Sequence, residues 1–363
     1  MTEVLVAAAS LDGGSVAGFT PRHRAFVEEL SARFGDVAVW NPASGWRYRQ
    51  AEPGIAGKLA LARRLVVSRY PSRCVWPVPI PKVAHDADLL ITMMPALAHL
   101  GLPERTGRWL CVLEETWERD YASGPLVARL QARRDLPRYR RLWRAIGQHA
   151  DAVVVISQLE RDHFSQFMPE HKLHVVPHAI AIDDFPVAPP GRRGHDVIIA
   201  GLRFPNVPSL IQQADTYARH RLGRELRWLI AGGPPPPEVA ALKSERITVT
   251  GRVREIGPFY NDALIALVPP EGGGVKTTLL QAWSCGLAAV ATEEAMQAAG
   301  APALVASPAA TTDQDLVASL VELIADEARR TAIGAAARAH VEAHHDARLN
   351  ARQFADLAVR LTI

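Results

Sequence analysis

The sequence is poor in cysteine and has no long apolar run. Its three cysteines, Cys74, Cys111 and Cys285, stand far apart in a chain of 363 residues, so they suggest neither a disulfide framework nor a set of metal ligands. No apolar run approaches the roughly 18 residues that a membrane-spanning helix needs. The N-terminal residues also lack the basic leader and cleavage site of a secretory signal peptide. We therefore expect a cytoplasmic protein.

A strong net charge is also missing, since Lys and Arg exceed Asp and Glu by only 3. With 48% hydrophobic and 22% charged residues, the composition is that of a globular protein rather than of a disordered or fibrous one. A chain of this length is too long for one ordinary hydrophobic core, so the length favours two domains.

The positive charge is concentrated between residues 41 and 150, which hold 18 Lys and Arg against 9 Asp and Glu. Most of it lies in two stretches, Lys58–Arg73 and Arg129–Arg144. The second interleaves arginines with apolar side chains, a pattern typical of a basic amphipathic helix that contacts an anionic membrane or an anionic acceptor. The alternative is a solvated helix face whose arginines pair with carboxylates elsewhere. We expect no nucleic-acid partner.

Strand-like and helix-like segments alternate along the whole sequence. Strands are predicted at residues 3–9, 37–40, 89–93, 109–113 and 151–156, and then at 196–200, 227–231, 247–250, 263–268, 288–291 and 303–306. Helix-length segments between them predict an α/β fold with two Rossmann-like, doubly wound parallel sheets. A proline- and glycine-rich linker at 183–194 separates a first domain at 1–182 from a second at 195–345. Such sheets bind ligands at the carboxyl ends of their strands.

The segment Glu271–Gly286, EGGGVKTTLLQAWSCG, lies between two strand-like runs. Its consecutive glycines leave backbone N–H groups uncovered beside a predicted helix start, where an anion is favoured. Lys276 adds a positive charge, and Glu271 adds a carboxylate. A phosphate-bearing ligand with a hydroxyl-rich group would use all of these features. The alternative is a tight turn whose glycines only allow close packing and bind no ligand.

A nucleoside triphosphatase P-loop is the other alternative for this segment. That loop requires glycine immediately before its lysine, but the chain has Val275 there, whose branched side chain resists a positive φ. No later predicted strand ends in an aspartate that could hold Mg²⁺. These two observations exclude the P-loop.

The same segment resembles the C-terminal signature of the retaining GT-B glycosyltransferases of family 4, also called group 1. In that family a glycine-rich turn precedes a helix that opens Leu-Glu-Ala-Met-Ala-x-Gly and a strand Pro-Val-Val-Ala. Four further segments are similar to family patterns, namely DAVVVIS at 151–157, VVPHAI at 175–180, AGLRFPN at 200–206 and ITVTGRV at 247–253. The resemblance implies two Rossmann-like domains that face a cleft. It also implies a donor site mainly on the second domain, an acceptor site on the first, and a C-terminal helix at 346–363 that crosses back to the first domain.

The resemblance also implies the residues that bind the donor diphosphate. Arg203 and Lys276 would be its cations, and Gly13 and Gly14 would approach it from the first domain. Many family members have a lysine five positions after this arginine, but Pro208 stands there in this chain, so Lys276 would take over that role. Because these groups can neutralise a departing diphosphate, no metal is required.

The transferred sugar and the nucleoside would bind to neighbouring residues. Glu271 would accept hydrogen bonds from sugar hydroxyls beside the amides of Gly272, Gly273 and Gly274. Nucleoside contacts are expected from Gln281, Arg252, Val253 and Gly201. Gln281 occupies the position of the second family glutamate, which holds the ribose hydroxyls, and an amide lacks the strength of a charge-assisted bond. Arg252 could equally be a surface arginine.

Catalytic candidates are fewer, because no histidine follows the fourth predicted strand. Glu114 and Glu115 stand there instead, and either could help to deprotonate the acceptor if its pKa were raised. The alternative is an acidic pair at a helix start, where the helix dipole favours it. With Glu271 they form the candidate catalytic set.

Together these features predict a metal-independent, retaining glycosyltransferase that needs no cofactor beyond its nucleotide-diphosphate-sugar co-substrate. The acceptor would be a glycan, a lipid-linked molecule or a small natural product. The leaving phosphate would help to deprotonate it, as the resemblance implies. Two alternatives remain open: a nucleotide-sugar epimerase on the same fold, and a catalytically silent nucleotide-sugar-binding protein.

Overall fold

The computed structural model describes residues 2–8, 20–40, 86–93, 105–114, 126–187, 191, 193–201, 206–270, 274–306 and 310–363. These residues divide into two compact units. One comprises residues 1–178 together with 348–363, and the other comprises residues 179–347.

The first unit contains a six-stranded parallel sheet in the order β2-β1-β3-β4-β5-β6. Its strands are β1 (Val4–Ala8), β2 (Val37–Trp40), β3 (Leu89–Met93), β4 (Arg108–Leu113), β5 (Ala152–Val155) and β6 (Leu173–Val175). Its described helices before residue 178 are α1 (Thr20–Phe34), α2 (Leu126–His149), α3 (Gln158–Phe164) and a 3₁₀ turn at Glu170–Lys172. Strands β3 and β5 are buried over their whole length, which is why they read as unbroken apolar runs.

The second unit contains a five-stranded parallel sheet in the order β11-β10-β7-β8-β9. Its strands are β7 (His195–Gly201), β8 (Trp228–Gly232), β9 (Ile247–Arg252), β10 (Ala263–Leu267) and β11 (Ala289–Val290). A 3₁₀ turn at Ile182–Asp184 precedes them, and helices α4 (Val207–Leu222), α5 (Pro237–Ala240), α6 (Gly257–Asn261) and α7 (Thr277–Ser284) connect them. The helices after β11 are α8 (Glu293–Ala298), α9 (Ala303–Ala306), α10 (Asp313–Ala325) and α11 (Glu327–His344).

The order of strands in the second sheet reverses between β7 and β10. The chain runs from β7 outward through β8 and β9, and then returns to the other side of β7 with β10 and β11. In a doubly wound sheet, the crevice at such a reversal lies at the carboxyl ends of the two strands and binds ligands. The topology therefore predicts a ligand site formed by the segments that follow β7 and β10.

The last helix, α12 (Ala347–Thr362), packs in the first unit. The Phe354 ring stacks on Phe26 of α1 at a centroid distance of 4.2 Å, and both rings are fully buried. An ion pair of 3.0 Å between Arg33 and Asp356 joins the same two helices at the surface. The helix thus completes the core on one face of the first sheet.

Two details differ from the sequence prediction. Residues 303–306, predicted as a strand, form helix α9, because the Pro302 carbonyl accepts hydrogen bonds from the amides of Val305 and Ala306 and so begins a helical turn. Four consecutive apolar residues are compatible with a buried strand and with a buried helical turn, so their pattern does not distinguish the two. Strand β6 was not predicted, since it is only three residues long.

No helix in the described ranges is both long and apolar enough to cross a membrane. The cytoplasmic location expected from the sequence stays a prediction.

Candidate active site

Glycines occupy the carboxyl ends of the central strands of the second sheet. Gly201 ends β7 and pairs in register with Gly232, which ends β8. Both have a positive φ, of 150° and 127°, and a Cβ atom on Gly232 would collide with the Gly201 carbonyl oxygen. The Gly233 amide donates to that same oxygen at 2.7 Å. The two backbones therefore approach closely at this edge of the sheet.

The neighbouring strand β9 extends this bare edge. Gly251 has a φ of 69°, and the next residue, Arg252, lies in register with Gly232. The Arg252 side chain is exposed, and Val253 is half-buried. The structure therefore brings Gly201, Arg252 and Val253 to one edge of the sheet, and their contacts with a nucleoside stay a prediction. Gly232 was missed, although Ala231-Gly-Gly-Pro234 directly after a predicted strand was a usable signal.

On the other side of β7, the turn after β10 leads into helix α7. Gly274 has a φ of 80°, whereas Val275 is not in the left-handed region, where Asn206 is the only described residue other than glycine. Lys276 is the N-cap residue of α7, its side chain does not cap the helix, and the first turn contains no acidic residue. An ammonium group therefore stands beside the positive end of the helix dipole. This combination attracts an anion.

Gln281 lies on α7 against the buried side chain of Tyr260. The Tyr260 hydroxyl is 3.1 Å from the Thr278 carbonyl oxygen and 3.3 Å from Gln281 Oε1. A hydroxyl has only one proton, so it cannot donate a good hydrogen bond to both oxygens at once. If the amide turns its Nε2 toward Tyr260, the hydroxyl donates to Thr278 and accepts from Gln281. The Gln281 oxygen is then directed away from Tyr260 and can accept a hydrogen bond from a ligand.

Glu114 follows β4 in the first unit, but it is buried rather than exposed. Its Oε1 accepts a hydrogen bond of 2.5 Å from Arg22 and lies 3.1 Å from His23 Nε2. Arg22 also donates to the Val176 carbonyl at 3.1 Å. The carboxylate, the guanidinium and the imidazole are each at most 3% exposed. The group therefore ties the first turn of α1 to the ends of β4 and β6.

These contacts set the protonation state of Glu114. Burial alone would raise its pKa, but the charges of His23 and Arg22 and the hydrogen bond with His23 outweigh burial and hold the pKa at about 2. His178, which is also buried, adds to the same effect. A carboxylate with so low a pKa is a poor proton acceptor near neutral pH. The geometry therefore argues against the general-base role considered for Glu114 and favours a positioning role.

Several candidate residues lie outside the described residues: Gly13, Gly14, Glu115, Arg203, Glu271, Gly272 and Gly273. Their roles stay predictions. The basic stretch Lys58–Arg73 also lies outside them.

Within the described ranges, no group of three His, Cys, Asp or Glu side chains is arranged to hold a metal ion. Burial raises the pKa of the Cys111 and Cys285 thiols to about 12, so neither is a thiolate at neutral pH.

Most of the second unit matches a known family model. Residues 194–326 match the family model described as "Glycosyl transferases group 1". No curated protein matches the chain.

Similar solved structures extend over the whole chain. The sucrose-phosphate synthase from Thermosynechococcus elongatus has a TM-score of 0.69 and 16% identity, and the match covers 99% of each chain. Anabaena HepE in complex with UDP-glucose has a TM-score of 0.65 and 15% identity, with 99% of this chain and 100% of that chain covered. A glycosyltransferase from Rickettsia africae has a TM-score of 0.59 and 13% identity, with 99% and 98% covered. At these identities the likeness establishes the fold.

The family match covers β7 to β11 and so includes the glycine-lined edge formed by β7, β8 and β9. The fold match covers both units. Residues 194–326 thus match the group 1 glycosyltransferase model, and the chain as a whole has the fold of the solved glycosyltransferases to which it is similar.

Proposed function

We propose that the protein transfers a sugar from a nucleotide-diphosphate sugar to an acceptor hydroxyl. The observation that carries this proposal is the strand reversal between β7 and β10, because the segments that leave it carry the candidate donor residues. Gly201 stands on one side and Lys276 on the other. UDP-glucose is the first donor to test, since the similar structure of Anabaena HepE is in complex with it.

The donor diphosphate would lie at the first turn of α7. Lys276 and the helix dipole both favour negative charge there, and no acidic residue of the first turn opposes them. Arg203, in the segment after β7, would supply a second cation. This arrangement stabilises a departing diphosphate without a metal ion, which is why we propose metal-independent transfer.

The transfer breaks the bond between the anomeric carbon and the donor phosphate oxygen, and it forms a bond from that carbon to the acceptor oxygen. The acceptor proton passes to the departing phosphate. This route needs no carboxylate base, and the low pKa of Glu114 removes one candidate for such a base. Attack on the face that the phosphate leaves retains the anomeric configuration, in agreement with the family resemblance.

Binding of the donor can be tested by thermal shift with UDP, GDP, ADP and TDP sugars. We expect one of them to raise the Tm of the wild type, and Lys276→Ala to weaken that ligand about ten- to a hundredfold, since a hydrogen bond to a charged group contributes roughly 1.5–3 kcal/mol. Lys243→Ala, which removes an exposed lysine elsewhere in the same unit, should leave the affinity unchanged. Equal losses in both variants, or no stabilising sugar nucleotide at all, would contradict the proposed donor site.

Transfer itself can be tested with the stabilising donor, a panel of acceptors and a metal chelator. We expect the nucleotide diphosphate to be released only when an acceptor is present. The chelator should not change the rate of release. NMR should show that the product has the same anomeric configuration as the donor. Conversion of the donor sugar without acceptor would support the epimerase alternative instead. Binding without turnover on every acceptor would support a silent binding protein.

A further inference from the structure

Helix α2, the crossover between β4 and β5, has one buried and one basic side. Four of its apolar side chains are at most 1% exposed and belong to the core of the first unit: Tyr139, Leu142, Trp143 and Ile146. The only acidic residue of the helix, Asp135, is on this buried side and pairs with Arg134 at 3.2 Å and Arg138 at 3.3 Å. The apolar residues that alternate with the arginines are thus mostly core residues.

The opposite side of α2 carries exposed arginines. Arg133, Arg140, Arg141 and Arg144 are exposed, and the described residues provide none of them with an ion-pair partner. Residues three or four positions apart lie on the same side of a helix, so these side chains form one continuous surface. The alternative interpretation of the sequence was that these arginines pair with carboxylates elsewhere. The described residues show no such pair for these four arginines.

Two leucines interrupt this surface. Leu130 is 55% exposed and is spaced three residues from Arg133, so it lies among the arginines. Leu136, at the edge of the basic side, is 37% exposed. Arginine alone suits any polyanion, but exposed leucines gain free energy only where apolar material is available. The combination of basic and apolar side chains on one helix face is typical of helices that lie at a membrane surface.

We propose that this arginine–leucine face of α2 docks the protein on a phospholipid bilayer that contains anionic lipids. The arginines contact the headgroups while their aliphatic stems and the two leucines reach the acyl boundary. The proposal is independent of the donor site, because it rests on the first unit alone and predicts a binding event that needs no sugar nucleotide.

Vesicle co-sedimentation of the full chain tests it, with vesicles of phosphatidylcholine alone and with about a third of phosphatidylglycerol. We expect binding only to the anionic vesicles. Binding should decrease strongly as salt is raised from about 0.05 M to about 0.5 M, because salt screens the electrostatic attraction. Changing Arg140, Arg141 and Arg144 together to Gln should weaken binding about a hundredfold, since each basic residue contributes roughly fivefold near an anionic surface. Glutamine keeps a good helix propensity, so α2 should remain folded.

The matched control changes three exposed arginines on other helices, Arg24, Arg329 and Arg352, to Gln, and should retain wild-type binding. Leu130→Ser should weaken binding to anionic vesicles without altering the salt dependence. Equal losses in both triple variants would overturn the proposal. It would likewise be overturned if a soluble polyanion such as heparin bound the wild type while anionic vesicles did not.

Discussion

Tyr260 and Gln281 show how one side chain can set the direction of another. The Tyr260 hydroxyl contacts the Thr278 carbonyl and the Gln281 amide, and it has a single proton to donate to them. A carboxylate at position 281 would compete with Thr278 for that proton. The pair therefore suits a glutamine at this position, where the family pattern described in the sequence analysis has glutamate.

The pairing of these two side chains can be measured. Tyr260→Phe should weaken UDP-glucose binding about fivefold, since the amide then loses a hydrogen bond of roughly 1 kcal/mol that orients it. In a Gln281→Ala background the same change should have almost no further effect. Isothermal titration of the single and double variants gives the coupling, with Tyr217→Phe as a control on helix α4. Additive losses would show that the two residues act separately.

Glu114 acts through its buried partners, and its contribution to stability depends on pH. Its folded pKa of about 2 is below its ordinary value of 4.5, so the carboxylate stabilises the fold above about pH 4.5 and loses this effect as the pH falls toward 2. Glu114→Gln leaves Arg22 buried without its ion pair, which should cost about 3 kcal/mol at neutral pH. Urea unfolding at several pH values should show this difference shrinking in the acid range.

The exposed Glu28 provides the control for this experiment, since Glu28→Gln on the same helix α1 should change little. A difference between wild type and Glu114→Gln that stayed constant from pH 7 to about pH 2 would contradict the ion-pair explanation.

The sequence indicated that Glu114 lies at the end of a strand but not that it is buried. Its partners Arg22 and His23 are 92 and 91 positions away in the chain, and only the strand order brings α1 over β4. Lys276 was easier to interpret, because its surroundings are local: a turn, a glycine and a helix start. Local features were predictable, and long-range ion pairs were not.

At the scale of elements, the prediction succeeded where a strand is buried on both faces and failed where an element is short. Strand β3, which is buried along its whole length, has the predicted bounds. Helix α9 and strand β6 are only four and three residues long, too short for periodicity to show. Their structure depends on the Pro302 carbonyl and on pairing with β5.

The contact between β7 and β8 gives a prediction about elements. Gly232→Ala should lower the free energy of unfolding by more than about 2 kcal/mol, because the new methyl group meets the Gly201 carbonyl and the backbone is in a region that alanine avoids. Gly223→Ala is the matched control: its φ is also positive, 69°, but no atom lies within 4 Å of the added Cβ. It should lose only about 1 kcal/mol. Urea denaturation compares the two, and equal losses would show that the close approach is unimportant.

For the whole molecule, alternating strands and helices predicted two parallel sheets correctly. The pattern did not predict the order of strands within each sheet, because order depends on which side of the sheet each crossover helix packs. The position of the strand reversal, and with it the candidate donor site, required the structure.

Helix α12 gives a prediction about the first unit as a whole. Phe354→Ala should destabilise this unit by about 3–5 kcal/mol, since it removes a buried ring that stacks on Phe26. Leu349→Ala on the same helix removes a side chain that is 44% exposed and should cost far less. Hydrogen exchange with mass spectrometry should detect faster exchange in α1 of the Phe354 variant. Faster exchange confined to the second unit would contradict the packing described here.

The first unit is discontinuous in the chain, since residues 179–347 are inserted between its two parts. The ribosome therefore synthesises the entire second unit before it makes the 16-residue helix α12 that completes the first. The second unit is continuous in the chain. Until α12 follows, Phe26 lacks its stacking partner and the first unit has an uncovered apolar face. We therefore expect the nascent protein to be most susceptible to aggregation and to chaperone binding after the second unit has emerged and before α12 has.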